Sequence, residues 1–247
     1  MTIGHRLIGE LGPIRIINLP YRTDRRAQIR AELAGMGLSL GDGDVQLFPA
    51  FRPRKMGGFS SIGARGCFLS HLGVLRQAMS ENTPSVLILE DDACFPRKAR
   101  EMLPMVLDGL ARTQWSIFYG GYRIDGVLEQ KQPGAVPVPP QLGLITAHCI
   151  ALRRAAIERI VPYLEAMLAR APGSPDGGPM HVDGAYSWFR RANPDLVTLA
   201  AVPQVAHQRA SRTDIHRLRL FDRMPVVRDI AQGLRYLRQN PKWSPDG

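Results

Sequence analysis

Residues 86–92 place four consecutive apolar residues directly before three carboxylates, in the order Val-Leu-Ile-Leu-Glu-Asp-Asp. The apolar run predicts a strand that is buried on both faces, as in a parallel sheet covered by helices. Glu90, Asp91 and Asp92 cannot continue into that core, because an unpaired buried charge is costly. They are therefore expected at the carboxyl edge of the strand, which is where open α/β sheets bind their ligands.

Spacing alone leaves two interpretations of this acidic triplet open. Mutual repulsion raises the pKa values of adjacent carboxyls unless a cation keeps them ionised, and hard oxygen ligands suit magnesium or manganese. Alternatively, the three residues form a solvated acidic turn after a strand, because short acidic clusters are common on protein surfaces.

Strand and helix patterns alternate along the chain and predict an α/β fold. Besides the strand before the triplet, the predicted strands cover residues 14–19, 45–48, 115–119, 142–152 and 196–202. The predicted helices run from Thr23 or Asp24, as the cap, to about Met36, over about 64–79, over 95–111 with a kink or break at Pro104, over about 153–171, and from a cap at Asp183. A long surface loop is expected over 122–140, and a lid or linker over 171–179.

The net charge of +10, from 32 basic and 22 acidic residues, predicts an anionic partner. Arg22, Arg25 and Arg26 fall in the first turn of a predicted helix, where the helix dipole disfavours cations. They either meet an anion there or are simply solvated. Further arginines concentrate in the basic helical tail at 216–247, which we expect to pack on the preceding domain or on an anionic membrane surface.

Cysteine usage and the N-terminus favour a cytoplasmic protein. Cys67, Cys94 and Cys149 lie far apart without C-x-x-C spacing, which argues against a disulfide framework or a structural zinc site. The N-terminus has no apolar segment of the kind that export signals carry. No apolar run approaches the roughly 20 residues of a membrane-spanning helix.

Several common motifs are missing from the sequence. There is no G-x-G-x-x-G after the first strand, no G-x-x-x-x-G-K-[ST] and no G-x-S-x-G. These absences disfavour a dinucleotide-binding enzyme, a P-loop nucleotidase and an α/β-hydrolase. An α/β domain with acids at a strand end and arginines near the first strand suits a ligand that combines a metal with a diphosphate.

Three blocks of the sequence together resemble glycosyltransferase family 25, the bacterial lipopolysaccharide and collagen-type galactosyltransferases. They are Ile17–Leu19 followed by Arg22–Arg26, then Gly63–His71, and then Leu87–Asp92. The likeness spans about residues 14–95 and continues more faintly through Val182–Gly184 and Gln208–Ile215. It implies a GT-A type fold over residues 1–215, a nucleotide-sugar donor that is usually UDP-galactose, a saccharide or lipid-linked saccharide acceptor, and Mn²⁺ or Mg²⁺.

The resemblance also implies roles for single residues. Asp92 would be the direct metal ligand, and His207 the C-terminal ligand, by analogy with many enzymes of this fold. Asp183 would be the base that inversion requires, although it could equally be only a helix cap. The expected nucleotide-sugar contacts are Asn18, Leu19, Arg22, Arg25, Arg65, Ser70, His71, Glu90 and Asp91. Ser70 and His71 belong to a block whose individual roles the sequence leaves open, and His71 could be a purely structural core histidine.

The preferred hypothesis is a metal-dependent, inverting glycosyltransferase that adds a hexose, galactose above all, in lipopolysaccharide or surface-glycan synthesis. The alternative is a basic nucleic-acid-binding protein without enzymatic activity, which would leave the acidic triplet without a role. A haloacid-dehalogenase-type phosphotransferase is disfavoured, because residues 90–94 do not form D-x-D-x-[TV].

Overall fold

A seven-stranded mixed sheet forms the centre of the molecule, with strand order β2-β1-β3-β7-β5-β8-β6. The computed structural model describes residues 2–124, 128 and 132–209, so the predicted tail at 216–247 lies outside the described residues. The strands are β1 Ile14–Asn18, β2 Val45–Pro49, β3 Ser85–Glu90, β4 Ala93–Cys94, β5 Ile117–Arg123, β6 Gly134–Pro137, β7 Ile145–Arg153, β8 Thr198–Val202 and β9 His207–Gln208. The helices are α1 Ile3–Leu11, α2 Thr23–Ala34, α3 Ile62–Ser80, α4 Arg97–Ala111, α5 Arg154–Ala169 and α6 Val182–Ala192.

Strand direction makes the sheet mostly parallel. β1 pairs in parallel with both β2 and β3, and β5 pairs in parallel with β8. β7 runs antiparallel between β3 and β5, and β6 runs antiparallel to β8 at the edge. β4 and β9 form a separate two-stranded ribbon. The predicted α/β class, with a mostly parallel sheet flanked by helices, is confirmed.

Alternate residues of the central strands supply two hydrophobic clusters, one on each face of the sheet. Leu87 and Leu89 of β3 join a cluster with residues of α1, α2 and α4, whereas Ile88 joins a cluster with residues of α3, α5 and α6. All three side chains are fully buried, and each such burial stabilises the fold by about 1.5–3 kcal/mol. Covering both faces explains why this strand is continuously apolar.

The structure differs from the sequence-based expectations at several elements. Helix α1, whose first turn Thr2 caps through the His5 amide, was not predicted. Strand β6 lies inside the predicted loop at 122–140, and α4 continues through Pro104 without ending. Helix α2 begins after Arg22, so Thr23 and Asp24 lie within it and do not cap it. His181 occupies the N-cap of α6, so Asp183 is in the first turn and is not the cap.

No helix among the described residues is long and apolar enough to cross a membrane.

Candidate active site

Strand ends from across the sheet meet at one edge and bring the acidic triplet next to distant parts of the chain. The carboxyl ends of β1, β3 and β5 lie at this edge, because these strands run in the same direction. The antiparallel β7 contributes its beginning, and Leu89 of β3 pairs with Cys149. After β8, the chain returns along β9 to pair with β4, directly after the triplet.

Asp91 is held by two buried side chains from the first strand–helix unit. It accepts hydrogen bonds from Asn18 Nδ2 at 2.7 Å and from Arg25 Nη1 at 2.8 Å. Burial raises the pKa of Asp91, although the hydrogen bonds from Arg25 and Asn18 act in the opposite direction. Three residues that are predicted to contact the donor, Asn18, Arg25 and Asp91, therefore contact one another. These hydrogen bonds fix α2 and β1 to the end of β3.

Asp92 lies in the same buried region but has fewer partners. Its Oδ2 accepts a hydrogen bond from Gln208 Nε2 at 3.3 Å and lies 3.6 Å from Arg25 Nη1. Its Oδ1 is buried and has no hydrogen-bond partner among the described residues. Burial, followed by the charge of Glu90, raises the pKa of Asp92 to about 7. A buried carboxylate oxygen without a donor fits a cation ligand.

Glu90 points to the opposite face of the sheet, into a cluster with two residues of α3. Its Oε1 accepts a hydrogen bond from Cys67 Sγ at 3.4 Å and lies 3.3 Å from His71 Nε2. The other ring nitrogen of His71 lies 3.1 Å from the hydroxyl of Tyr186. Burial alone would raise the pKa of Glu90, but the hydrogen bond and charge of His71 lower it.

Asp183 is oriented by two backbone amides. Its Oδ2 accepts from the N–H of Thr146 at 3.0 Å, and its Oδ1 accepts from the N–H of Gly184 at 2.8 Å. Burial raises the pKa of Cys67 well above its usual range, and the charges of Glu90, Asp183 and Asp92 add to this effect. The Asp183 carboxylate therefore adds to the negative charge around Cys67, as Glu90 and Asp92 do.

Thr146, the residue that positions Asp183, has a backbone conformation that is rare for its type. Its φ is +68°, in the left-handed region that a β-branched residue seldom adopts. Such a conformation costs on the order of 1–3 kcal/mol and persists only where surrounding contacts enforce it. The hydrogen bond to Asp183 is one such contact.

Two histidines, one in β7 and one in β9, belong to the elements that meet near the triplet. The buried His148 has Nε2 at 3.3 Å from the Ala206 carbonyl, and burial lowers its pKa. His207 is exposed and pairs through its backbone with Cys94 in the β4–β9 ribbon. The residue of this ribbon that contacts Asp92 through its side chain is the neighbouring Gln208, so His207 as a metal ligand stays a prediction.

The contacts shown for the remaining predicted donor residues are with other parts of the chain. Arg22 forms an ion pair with Asp24 at 2.9 Å, and Leu19 is half-buried after β1.

On α3, Arg65 donates to the Lys55 carbonyl at 2.8 Å. The buried Ser70 donates to the Gly66 carbonyl at 2.7 Å and accepts from the Phe51 amide at 2.8 Å. Arg65 and Ser70 thus anchor the 50–57 loop to α3.

Aromatic side chains are exposed beyond the ends of β1 and β2. Tyr21 and Phe51 each leave about half of their surface accessible. The guanidinium of Arg52 lies over the ring of Tyr21, at 5.1 Å from the ring centroid. This arrangement offers a flat aromatic surface next to positive charge, close to the expected nucleotide contacts.

Sequence reasoning did not include Cys67, Tyr186, Thr146 or Gln208 among the site residues. Cys67 and His71 are four apart on a predicted helix, a spacing that places two side chains on one face and could have paired them. Tyr186 is completely buried, so its ring packs in the core while its hydroxyl meets His71. Thr146 and Gln208 enter the site through long-range contacts that leave no local pattern.

Comparison with known proteins relates part of the chain to one family. Residues 46–125 match the sequence model of glycosyltransferase family 25, described as an LPS biosynthesis protein. This segment runs from within β2 to just beyond the end of β5, and it includes Cys67, His71 and the acidic triplet.

Curated relatives carry the same family name. The chain is 26% identical over 77% of its length to the human inactive glycosyltransferase 25 family member 3, and covers 36% of that protein. It is 27% identical over 48% of its length to procollagen galactosyltransferase 1-B of Xenopus laevis, and covers 22% of that protein. The chain thus spans about a third or less of the length of these relatives.

Among solved structures, a glycosyltransferase involved in the glycosylation of the major capsid of PBCV-1 is similar, with a TM-score of 0.42 and 11% identity. The similarity covers 76% of this chain and 81% of that one. The family match and the curated relatives together confirm the resemblance of this chain to glycosyltransferase family 25.

Proposed function

We propose that the chain is a metal-dependent, inverting glycosyltransferase of GT-A type. It would transfer a hexose, with galactose as the first candidate, from a UDP-hexose to a saccharide or lipid-linked saccharide acceptor. The observation that carries the proposal is Asp92, whose buried Oδ1 lies at the carboxyl edge of the sheet and has no hydrogen-bond partner among the described residues. Asp92 also falls inside the segment that matches the family. The galactosyltransferase names of several relatives support the choice of sugar.

The donor side of the proposal uses the residues around Asp92. Asp92, with His207 from the neighbouring ribbon, would hold Mn²⁺ or Mg²⁺, because carboxylate and imidazole groups suit such an ion. A bound ion would neutralise the charge that develops on the leaving diphosphate. Asn18, Leu19, Arg22 and Arg25 would line the nucleotide end, and the exposed ring of Tyr21 would stack on the base.

The acceptor side uses Asp183. A general base must lie within hydrogen-bond reach of the hydroxyl whose proton it removes. The amides of Thr146 and Gly184 fix the orientation of the Asp183 carboxylate, so it needs no rearrangement before it accepts that proton. The strained backbone of Thr146 supports the assignment of a functional role to this contact.

The decisive experiment is a thermal-shift panel of UDP, GDP, CMP and NAD, each with and without Mn²⁺, followed by a transfer assay with UDP-galactose and UDP-glucose. Ligand at one hundred times its dissociation constant stabilises the folded state by about 2.7 kcal/mol. For a chain of this size the melting temperature should rise by roughly 5–11 °C, at about 2–4 °C per kcal/mol. We expect this rise with UDP only, in the presence of metal, and no rise in Asp92→Asn.

The competing hypothesis of a nucleic-acid-binding protein predicts a different outcome. Binding would then weaken steeply with salt, would not depend on Mn²⁺ and would be unaffected by Asp92→Asn. An equal response to all four nucleotides would also contradict the glycosyltransferase proposal.

We also propose that the arginine-rich segment at 216–247 holds the protein at an anionic membrane surface on the cytoplasmic side. Basic residues near an anionic membrane surface contribute roughly 1 kcal/mol each to binding. Cosedimentation with vesicles that contain phosphatidylserine should exceed cosedimentation with neutral vesicles, and should fall when salt is added. Equal binding to both kinds of vesicle would contradict this part of the proposal.

A further inference from the structure

Three metal-ligating side chains converge at the end of β3, on the face of the sheet opposite Asp91. Cys67 and His71 lie four residues apart on α3, so both project from one face of a rigid helix. Glu90 reaches them from the strand end. Their donor atoms all lie within 4.8 Å of one another. The three residues do not form a local metal-binding motif such as C-x-x-C.

Two of the three separations between these donor atoms match those of a tetrahedral metal site. A zinc ion bound at about 2.3 Å to sulfur and about 2.0–2.1 Å to nitrogen and oxygen separates its ligands by roughly 3.3–3.6 Å. Cys67 Sγ lies 3.4 Å from Glu90 Oε1, and His71 Nε2 lies 3.3 Å from the same oxygen. Two edges of the tetrahedron are therefore present without movement of the backbone.

The imidazole of His71 is already oriented as a metal ligand requires. Ligating histidines almost always engage their second nitrogen in a hydrogen bond that fixes the ring. Here His71 Nδ1 lies 3.1 Å from the Tyr186 hydroxyl, and both side chains are completely buried. Cys67 and Glu90 are only half-buried, which leaves one side of the cluster accessible to an entering ion.

The chemistry of the three donors selects the ion. Thiolate and imidazole ligands favour zinc, whereas the oxygen donors of Asp92 suit a harder cation. We propose that Cys67, His71 and Glu90 form a zinc site that is separate from the cation site at Asp92, with a fourth position open to water. This inference does not rest on the proposed transfer reaction.

The same distances also describe a hydrogen-bonded network that needs no metal. In that arrangement Tyr186 donates to His71, and both His71 and Cys67 donate to Glu90. The two arrangements differ in the state of the sulfur, because a coordinating thiol is deprotonated whereas a thiol that donates to Glu90 keeps its proton. Spectroscopy of the sulfur therefore separates them.

The test uses the full chain, stripped of metal and titrated with Co²⁺ and with Zn²⁺. We expect about one Zn²⁺ bound per chain by elemental analysis, and a thiolate-to-cobalt charge-transfer band on addition of Co²⁺. Cys67→Ser and Glu90→Gln should lose the band. Tyr186→Phe should keep it but bind zinc about 10–100-fold more weakly, because only the orienting hydrogen bond is lost.

The two other cysteines provide matched controls. Cys149 belongs to the hydrophobic cluster on the other face of the sheet, and Cys94 donates to the His207 carbonyl in the β4–β9 ribbon. Cys94→Ser and Cys149→Ser should both retain zinc and the band. Circular dichroism and thermal melts verify that each variant is folded.

Absence of the band in the wild-type chain overturns the inference whatever the variants do, and so does a band that survives Cys67→Ser. If the wild-type chain binds no zinc but shows the Mn²⁺-dependent thermal shift with UDP, the proposed function stands and only the zinc site is ruled out. If the chain binds zinc but shows no thermal shift with UDP, the zinc site stands and the proposed function is contradicted.

Discussion

Arg25 donates from Nη1 to Oδ1 of Asp91 at 2.8 Å, and the two side chains keep only 10% and 8% of their surface exposed. The contact joins α2 to the end of β3, across 66 residues of sequence. Arg25 is one of the arginines at the start of α2, where the helix dipole disfavours cations. The anion that it meets there is the Asp91 carboxylate of the protein itself. The acidic triplet is thus divided: Asp91 accepts a hydrogen bond from Arg25, Asp92 lies 3.6 Å from the same guanidinium nitrogen, and Glu90 contacts Cys67 and His71 instead.

Arg25→Ala should destabilise the protein by about 3–5 kcal/mol, because Asp91 would be left as a buried charge without its cation. Urea unfolding followed by circular dichroism measures the loss. Arg97→Ala is the matched control, since its ion pair with Glu101 is 89% and 59% exposed and should contribute at most about 0.5 kcal/mol. A similar small loss in both variants would show that the buried pair is not stabilising α2.

Asp92→Asn should make the metal-free protein more stable at pH 8. Burial raises the pKa of Asp92 from its ordinary 3.8 to about 7. The folded protein therefore keeps a proton that the unfolded chain has released, and the wild type loses stability as the pH rises from about 4 to about 7. The gap between variant and wild type should open through that window, reach on the order of a few kcal/mol and stay constant above it.

Thermal melts in EDTA across this pH range measure the gap, and comparison of the two proteins cancels the contributions of groups that do not interact with Asp92. Addition of Mn²⁺ at pH 8 should narrow the gap, because the ion stabilises the ionised carboxylate of the wild type. A gap that does not change with pH would contradict the raised pKa of Asp92.

Asp183→Asn should reduce sugar transfer by about 10²–10⁴-fold, because the amide cannot accept the acceptor proton. The Mn²⁺-dependent thermal shift with UDP should be unchanged, since Asp183 lies on the acceptor side. Asp108→Asn, which alters an exposed partner of Arg6, serves as the control and should transfer at the wild-type rate. If Asp183→Asn transfers normally, its carboxylate only orders the start of α6.

Gly121→Ala should destabilise the protein by about 1–3 kcal/mol. A Cβ at this position would collide with His148 Nε2 and with the Ala206 carbonyl, so the ring or the segment between β8 and β9 would have to move. Gly9→Ala in α1 is the control, because a Cβ there meets nothing within 4 Å and should add up to about 1 kcal/mol of stability. Denaturant midpoints of both variants test the contrast, and equal midpoints would show that the ring can move without cost.

The parts of the fold that the sequence predicted are those with strong local patterns. Four apolar residues before three acids mark the end of β3 without knowledge of any other strand. Strand β6, by contrast, has the weak pattern Gly-Ala-Val-Pro and exists through pairing with β8, more than sixty residues later. Helix α1 is amphipathic, with Gly4, Leu7 and Leu11 buried on one side, but it is only nine residues long. Helices this short depend mainly on packing against distant parts of the chain, which the local sequence does not show.

The candidate site divides in the same way. Motif positions identified Glu90, Asp91 and Asp92, but not which partner each would meet. The different surroundings of the three follow from the alternation of the strand and the direction of the neighbouring elements, which a single sequence does not specify. The contact between Asp183 and Thr146 depends on the reversal of β7, and no residue pattern predicts that reversal.

The antiparallel direction of β7 limits where the chain can tolerate insertions and deletions. Because β7 runs against β3 and β5, the amide that holds Asp183 lies at the beginning of the strand, and the chain then travels through α5 and the 170–181 loop before it reaches Asp183. Insertions in that connection can leave the carboxylate in place, since the amide fixes it. A shift of β7 by a single residue would turn its alternate side chains to the other face and carry the anchoring amide away. In an alignment of related sequences, insertions and deletions should therefore fall between residues 170 and 181 and be absent between residues 145 and 153.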